Sequence, residues 1–136
     1  MSAILSATNN IPSDLRYTRE HEWVRQEETT LVVGITAFAA SQLGDVVFVE
    51  LPPPDTRVTA GQPFGVVESV KSVSDLFAPV SGTVTRTNAS LTDAPETVND
   101  DPYGKGWMIG IRPDDPSELE SLLDAQGYQS LLGQKD

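Results

Sequence analysis

The stretch that decides the fold is Phe64-Gly-Val-Val-Glu-Ser-Val-Lys71-Ser-Val-Ser-Asp-Leu-Phe-Ala-Pro-Val-Ser-Gly82. Its two halves are short runs rich in β-branched and aromatic residues, which is typical of strands. Between them, the polar segment from Ser69 to Ser72 predicts the turn of a β-hairpin. No Asn-Gly or Asp-Gly pair specifies the type of this turn. We therefore expect two paired strands with Lys71 at the tip that joins them.

A lysine at a hairpin tip is suited to carry a covalently attached group. Its amine lies in water, where a modifying enzyme can reach it, and its unbranched stem leaves the attached group free to swing. Acylation also removes the positive charge that would hold the side chain at the surface. The chain has only three lysines, Lys71, Lys105 and Lys135. Most single lysines are simply solvated, so the case for Lys71 depends on the residues around it.

Length and charge restrict the class of protein. A chain of 136 residues predicts one domain over positions 1–136, with a modest core and a flexible or extended segment at 1–13. There are 20 acidic residues against 9 lysines and arginines, which gives a net charge of −11. Because phosphate groups are bound by basic surfaces, this charge disfavours nucleic acids and anionic membranes as partners. It is compatible with docking onto basic patches of other proteins.

Several kinds of chemistry lack the residues that they need. The chain has no cysteine, which excludes disulfides, thiolate metal sites and cysteine nucleophiles, and His21 is its only histidine. The acidic run that begins at Asn99 has no EF-hand spacing after it, so we expect solvated acids and no metal site. No apolar run approaches the ~20 residues that span a bilayer. The first residues lack the basic segment of a targeting peptide, which favours a cytoplasmic bacterial protein.

Short strands and two helices are predicted around the hairpin. Leu31-Val-Val-Gly-Ile35 is typical of a buried strand, and we expect it to pair with the preceding segment, in which Tyr17, Trp23 and Val24 are predicted core residues. Thr36 is a good N-cap for a short helix over 37–43, with Gly44 at its C′ position.

The second half of the chain continues this pattern. The segment 82–88 alternates with period two, as a half-buried strand does. Ser117-Glu-Leu-Glu120 has the form of a capping box, so we expect a helix from there to about Gln126, ended by Gly127, with a further turn to Leu132.

Four separated motifs resemble the H protein of the glycine cleavage system, a family of lipoyl carriers, and the resemblance covers roughly positions 15–132. They are Leu15-Arg-Tyr-Thr18 with His21-Glu-Trp-Val24; Gly44-Asp-Val-Val-Phe-Val-Glu-Leu-Pro52; Glu68-Ser-Val-Lys-Ser72 with Asp75 and Ala78-Pro-Val-Ser-Gly82; and Asn99 with Pro102-Tyr103 and Gly106-Trp107. A biotin carrier normally has methionine on both sides of the lysine, and a lipoyl domain of a dehydrogenase complex has aspartate before it. Here Val70 and Ser72 flank Lys71.

The resemblance implies a fold. It is mainly β, a barrel-sandwich hybrid of the lipoyl-domain type, in which two small antiparallel sheets are accompanied by a short helix after strand Leu31-Ile35 and by a C-terminal helical segment at 117–132. One departure from the family pattern falls in the short helix. Most H proteins have an acidic residue, a histidine and a glutamine where this chain has Ala37, Phe38 and Ala40.

The resemblance also implies a function, that of a carrier and not an enzyme. Lipoate would be joined to Lys71 through an amide and would carry the aminomethyl group of glycine. The group would pass from a PLP-dependent glycine decarboxylase (P protein) to a tetrahydrofolate-dependent aminomethyltransferase (T protein). Dihydrolipoamide dehydrogenase (L protein) would then reoxidise the arm, and lipoate-attaching enzymes would load it. We expect the carrier to be a monomer.

A sheltered cleft would protect the loaded arm from hydrolysis, and a protonated amine inside it would favour a carboxylate. Glu22 is the first candidate, because by motif it corresponds to the glutamate that contacts the arm in H proteins. Asp75 is the second candidate. Both could instead be solvated residues, and for Asp75 that is the simpler interpretation.

Three alternatives remain open at this point. The chain could be an H-like carrier that relays lipoate to other enzymes, or a lipoyl or biotinyl domain of another complex. Lys71 could also be a catalytic lysine that forms a Schiff base, which requires burial to lower the pKa of its amine.

Overall fold

Two antiparallel sheets build the protein, and the computed structural model describes residues 11–133. The six-stranded sheet has the order β1 (Arg16–Tyr17), β2 (Glu22–Glu27), β3 (Thr30–Ile35), β9 (Ile109–Pro113), β8 (Gly82–Thr87) and β5 (Arg57–Val58). The three-stranded sheet has the order β4 (Val46–Glu50), β6 (Pro63–Ser69) and β7 (Val73–Phe77). The predicted mainly β fold of two antiparallel sheets is confirmed. Of the segment predicted to be flexible at 1–13, positions 1–10 lie outside the described residues.

The opening hairpin is confirmed as the β2–β3 pair. Trp23 lies opposite Gly34, and Val24 lies opposite Val33. Because side chains alternate along a strand, Val24 and Trp23 point to opposite faces of the sheet. Trp23 and Val24 are both buried, as is Tyr17, so the three predicted core residues are confirmed.

The inner faces of the two sheets enclose the main core. One cluster joins the three-stranded sheet to the helices beside it, and a second joins β2, β3, β8 and β9. Leu51 and Phe64 pack against both clusters and so connect them. The first cluster contains Ile35, Ala40, Leu43, Val46, Val49, Val67, Leu76, Leu91, Val98 and Met108. The second contains Val24, Leu31, Val33, Val58, Ala78, Val80, Val84, Ile109 and Ile111.

The outer face of the six-stranded sheet is covered near β1 and β2 by the last helix of the described chain, α4 (Ala125–Gly133). Tyr128 of this helix is fully buried, and its ring stacks on that of Tyr17 with centroids 4.8 Å apart. Trp23 and Val32 complete the contact from the sheet. Both faces of β2 and β3 are therefore packed, which fixes the N-terminal hairpin against the rest of the molecule.

The short helix α1 (Ala37–Leu43) forms where it was predicted. The Thr36 hydroxyl accepts a hydrogen bond from the amide of Ala39, and Gly44 follows the helix with φ of 80°, a conformation that suits glycine. Asn99 holds the junction with β4, because its side chain accepts from the amide of Val46 and donates to the carbonyl of Gly44. Asn99 is thus a structural residue, whereas its sequence context suggested only a solvated run. Two short helices, α2 (Ser90–Asp93) and α3 (Thr97–Asp100), follow β8.

The predicted helix from Ser117 to about Gln126 is wrong in its cap and its bounds. A 3₁₀-helix spans Pro116–Ser121, and its N-cap is Asp115, whose carboxylate accepts from the amide and the hydroxyl of Ser117. The chain then becomes extended, so that Leu123 exchanges two backbone hydrogen bonds with Tyr17, at 2.7 and 2.8 Å. This pairing interrupts the helix. Gly127, predicted to end the helix, lies inside α4 instead.

Candidate functional site

The hairpin of β6 and β7 brings Lys71 to an exposed tip. The strands pair from Pro63 opposite Phe77 to Glu68 opposite Val73, which leaves Val70, Lys71 and Ser72 in the turn. Lys71 is exposed. The predicted position of Lys71 is therefore confirmed. The burial that a Schiff-base lysine needs is not found there.

Ser69 organises this turn. Its buried hydroxyl accepts hydrogen bonds from the amides of Lys71 and Ser72, at 3.3 and 3.1 Å, and its own amide donates to the carbonyl of Ser72 at 2.8 Å. One further bond, from the amide of Val70 to the carbonyl of Asp45, ties the tip to the start of β4. The Ser69 side chain thus fixes the turn conformation, as an Asn-Gly pair does in other hairpins. The backbone of Lys71 is held in place by these hydrogen bonds.

A cleft of about 560 Å³ lies beside the hairpin, between β7 and α1. It begins one residue after Lys71, because Ser72 is among its lining residues. The apolar part of its wall is Ile35, Phe38, Ala39, Leu43, Val67, Leu76 and Phe77, and the polar part is Glu20, His21, Glu22, Gln42, Ser72, Ser74 and Asp75. A hydrocarbon arm with a polar end fits such a lining, and the volume is in the range of small-molecule sites.

Glu22 is the buried carboxylate of this cleft, with only 2% of its surface exposed. It is the first residue of β2, and it accepts hydrogen bonds from the Thr18 hydroxyl at 2.5 Å and from the amide of Phe77 at 3.1 Å. Burial raises the pKa of Glu22 to about 7, and the hydrogen bonds from Thr18 and Phe77 oppose this rise. The alternative interpretation of Glu22 as a solvated strand residue is therefore wrong.

Asp75 lies on the edge strand β7 and lines the same cleft, but it is exposed. The structure thus brings both predicted carboxylates to one cleft, with different environments. Glu22 can hold a cation that has entered the cleft, whereas Asp75 can meet it only at the solvent side.

A buried polar cluster behind the cleft was not predicted. The Tyr128 hydroxyl lies 2.8 Å from Nδ1 of His21 and 2.8 Å from the hydroxyl of Thr36. The His21 ring lies 5.0 Å from that of Phe38, and both residues line the cleft. This cluster connects α4 to the cap of α1 and to the cleft wall. Tyr128 is 107 positions from His21 along the chain, and no local sequence pattern could have revealed the contact.

Two kinds of site are not found in the described part of the chain. Residues 11–133 contain no group of three or more histidine, cysteine or acidic side chains arranged to hold a metal ion. None of the helices described there has the length and hydropathy to cross a bilayer.

Comparison with known proteins agrees with this geometry. The family model of the glycine cleavage H-protein matches residues 15–135. A glycine cleavage system H protein of Anaeromyxobacter sp. (strain K) is 58% identical over 126 residues, which cover 93% of this chain and 98% of that protein. One from Geobacillus kaustophilus is 54% identical over 92% of this chain and 98% of its own length. A crystal structure of a glycine cleavage system H protein from Mycobacterium marinum superposes with a TM-score of 0.83 at 42% identity, covering 90% of this chain and 99% of that one.

Proposed function

Since this chain belongs to the glycine cleavage H-protein family, we propose that it carries lipoate in amide linkage on Lys71 and shuttles the aminomethyl group of glycine. It is a carrier subunit of a multi-enzyme system, and the chemistry is performed by its partners. The observation that carries the proposal is the exposure of Lys71 on a rigid hairpin tip next to a cleft with a buried carboxylate.

The lipoyl group, when bound, supplies a disulfide that can open to take a carbon on one sulfur and a proton on the other. The chain holds and shelters this group. Lys71 tethers the arm, and the Ser69-centred turn holds its Cα in place. The apolar wall, with Phe38, Leu43 and Leu76, keeps water away from the part of the arm that lies in the cleft.

Glu22 is the proposed contact for the loaded end of the arm. With a pKa raised to about 7, the free carboxyl group is partly protonated near neutral pH. An ammonium group beside it favours the charged form and lowers this pKa, so arrival of the loaded arm would turn Glu22 into a full carboxylate. Asp75 is the second proposed contact, at the exposed side of the cleft.

The proposed partners are the glycine decarboxylase (P protein), the aminomethyltransferase (T protein), the dihydrolipoamide dehydrogenase (L protein) and the lipoate-attaching enzymes, all in the cytoplasm. A net charge of −11 favours docking on basic surfaces. Tethering confines the arm to the neighbourhood of each active site, which raises its effective concentration there.

Exchange of labelled bicarbonate into glycine, catalysed by glycine decarboxylase, tests this function. The lipoylated protein is expected to support exchange, and the Lys71→Ala variant is expected to support none while keeping its fold. Lys105→Ala is the matched control, since it removes another exposed lysine outside the hairpin. Full exchange with the Lys71→Ala variant would refute the proposal.

One observation favours a second candidate function. Phe38 lines the cleft and contacts His21, at a helix where the sequence departs from the H-protein pattern. A carrier that relays lipoate to other enzymes needs Lys71 but no docking on glycine decarboxylase. The same assay separates the two functions, because a relay carrier would be lipoylated and would still give no exchange.

A further inference from the structure

Four large apolar side chains are exposed on the described part of the chain, and all four lie on the three-stranded sheet or its hairpin turn. They are Val47, Phe48, Val70 and Val73, with exposures of 51%, 45%, 72% and 67%. We call these four residues the tip patch. Val70 and Val73 lie within two residues of Lys71, and Val47 and Phe48 lie on β4, in which Phe48 pairs with Glu68 of the hairpin.

Strand register places Phe48 and Val73 of the patch on the outer face of the sheet. Phe48 is paired with Glu68, and Glu68 is paired with Val73, so the three side chains form one row on the same face. Val70 precedes Lys71 and Val73 follows it by two residues, and the hydrogen bond from the amide of Val70 to the carbonyl of Asp45 holds the turn against the start of β4. The patch therefore extends to the turn that carries Lys71.

Acidic side chains lie in and around the apolar ones. The next row on the same face is Glu50, Val66 and Asp75. Of these, Glu50 and Asp75 are exposed. An apolar surface bordered by carboxylates is complementary to an apolar surface bordered by lysines and arginines.

The distance that each partner enzyme can keep from Lys71 indicates which of them must bind this surface. Enzymes that act on the loaded end of the arm can stay at a distance from the hairpin, because the arm spans the gap. The enzyme that attaches the arm has no such freedom, since its acyl group must meet the Lys71 amine itself. It must cover the residues beside Lys71.

From this geometry we propose that the tip patch is the docking surface for the lipoate-attaching enzyme, whose matching face is apolar with a basic border. The inference rests on the proposed function of Lys71. In the step that docking serves, the amine loses a proton and attacks the carboxyl carbon of lipoyl adenylate. A C–N bond forms, the C–O bond to AMP breaks, and no electrons are exchanged with an oxidant or reductant.

The test measures acylation of the purified full-length protein by a lipoate-attaching enzyme given lipoate and ATP, with intact mass as the readout. The variant is the triple substitution Val47→Thr, Phe48→Thr and Val73→Thr, which places a polar, β-branched and strand-forming side chain at each position. We expect kcat/KM to fall about tenfold or more through KM, with kcat unchanged, because docking contacts are lost while the amine is untouched. Circular dichroism of the variant checks whether it folds.

A second set of variants tests the acidic border of the patch, which is formed by Glu50 and Asp75. Glu50→Gln is expected to lower kcat/KM and to weaken its dependence on salt, because a charged border acts mainly on the rate of encounter. Glu120→Gln is the matched control, because it removes an exposed carboxylate from the 3₁₀-helix, away from this sheet. Equal effects of the two substitutions would contradict the charge argument.

Each remaining outcome has a distinct meaning. If the triple variant is acylated as fast as the unaltered protein, the docking proposal is wrong. If that happens and sedimentation shows concentration-dependent dimers that the variant loses, the patch is instead a contact between two copies. If the unaltered protein itself is never acylated at Lys71, the proposed function fails rather than the assignment of the surface.

Discussion

The buried carboxyl group of Glu22 makes a sharp prediction about stability and pH. Its pKa is raised from 4.5 to about 7 by burial, so the folded protein holds this proton more tightly than the unfolded chain. Below about pH 4.5 the group is protonated in both states, and its contribution to stability is fully present. As the pH rises, the unfolded chain ionises first, and the contribution is lost up to and through the folded pKa. Glu22→Gln removes this titration.

The magnitude follows from the two pKa values. A difference of about 2.5 pKa units corresponds to roughly 3 kcal/mol once both states are ionised. Between about pH 5 and pH 8 the free energy of unfolding of the unaltered protein should therefore fall by roughly 2 to 3 kcal/mol relative to that of Glu22→Gln. Because the side chain is almost wholly buried, solvent screening reduces this value little.

Urea unfolding at several pH values, followed by tryptophan fluorescence, measures the effect, since Trp23 is buried in the folded state. Glu120→Gln is the matched control, because it makes the same chemical change at an exposed position of the 3₁₀-helix, outside the cleft. The reasoning would be refuted by a difference between the unaltered protein and Glu22→Gln that is constant with pH, or by one that changes in the opposite direction.

Three further predictions test the packing and the cleft. Gly34→Ala should destabilise the fold by about 2 to 3 kcal/mol in urea unfolding, because its Cβ would lie 2.6 Å from the buried Trp23 ring; full stability would contradict this packing. Tyr128→Phe should lower the free energy of unfolding by about 1 to 2 kcal/mol, because it removes the hydroxyl that joins α4 to the N-cap of α1; an unchanged value would show that these bonds add nothing. Glu22→Gln should shorten the lifetime of the aminomethyl-loaded arm more than Asp75→Asn does, and measured decay rates in the reverse order would reassign the main contact.

Local signals in the sequence predicted the elements that depend on neighbouring residues. The hairpin at Lys71 is fixed by two β-prone runs around a polar turn, and α1 is fixed by Thr36 and Gly44 at its ends. The C-terminal helix is present, but its predicted cap and bounds were wrong for the opposite reason. Its capping-box pattern is present, but the pairing of Leu123 with Tyr17, which the pattern cannot show, draws the chain out of the helix.

The chemistry of the site was only partly predictable. Motif resemblance made Glu22 the first candidate, yet the motif could not show its burial, because the strand whose Phe77 amide donates to its carboxylate lies 55 residues away. The contact of Tyr128 with His21 is equally distant. The exposure of Phe48 could not be predicted from the sequence, because its strand is rich in apolar residues. The bulge between Val46 and Phe48 determines which of these apolar residues face solvent.

The most direct measurement of the central claim is intact mass combined with peptide mapping of the protein after incubation with a lipoate-attaching enzyme. We predict one lipoyl group per chain, on Lys71, and none on the Lys71→Arg variant. An acyl group found on Lys105 or Lys135 instead, or glycine exchange supported by protein whose Lys71 is unmodified, would contradict the account.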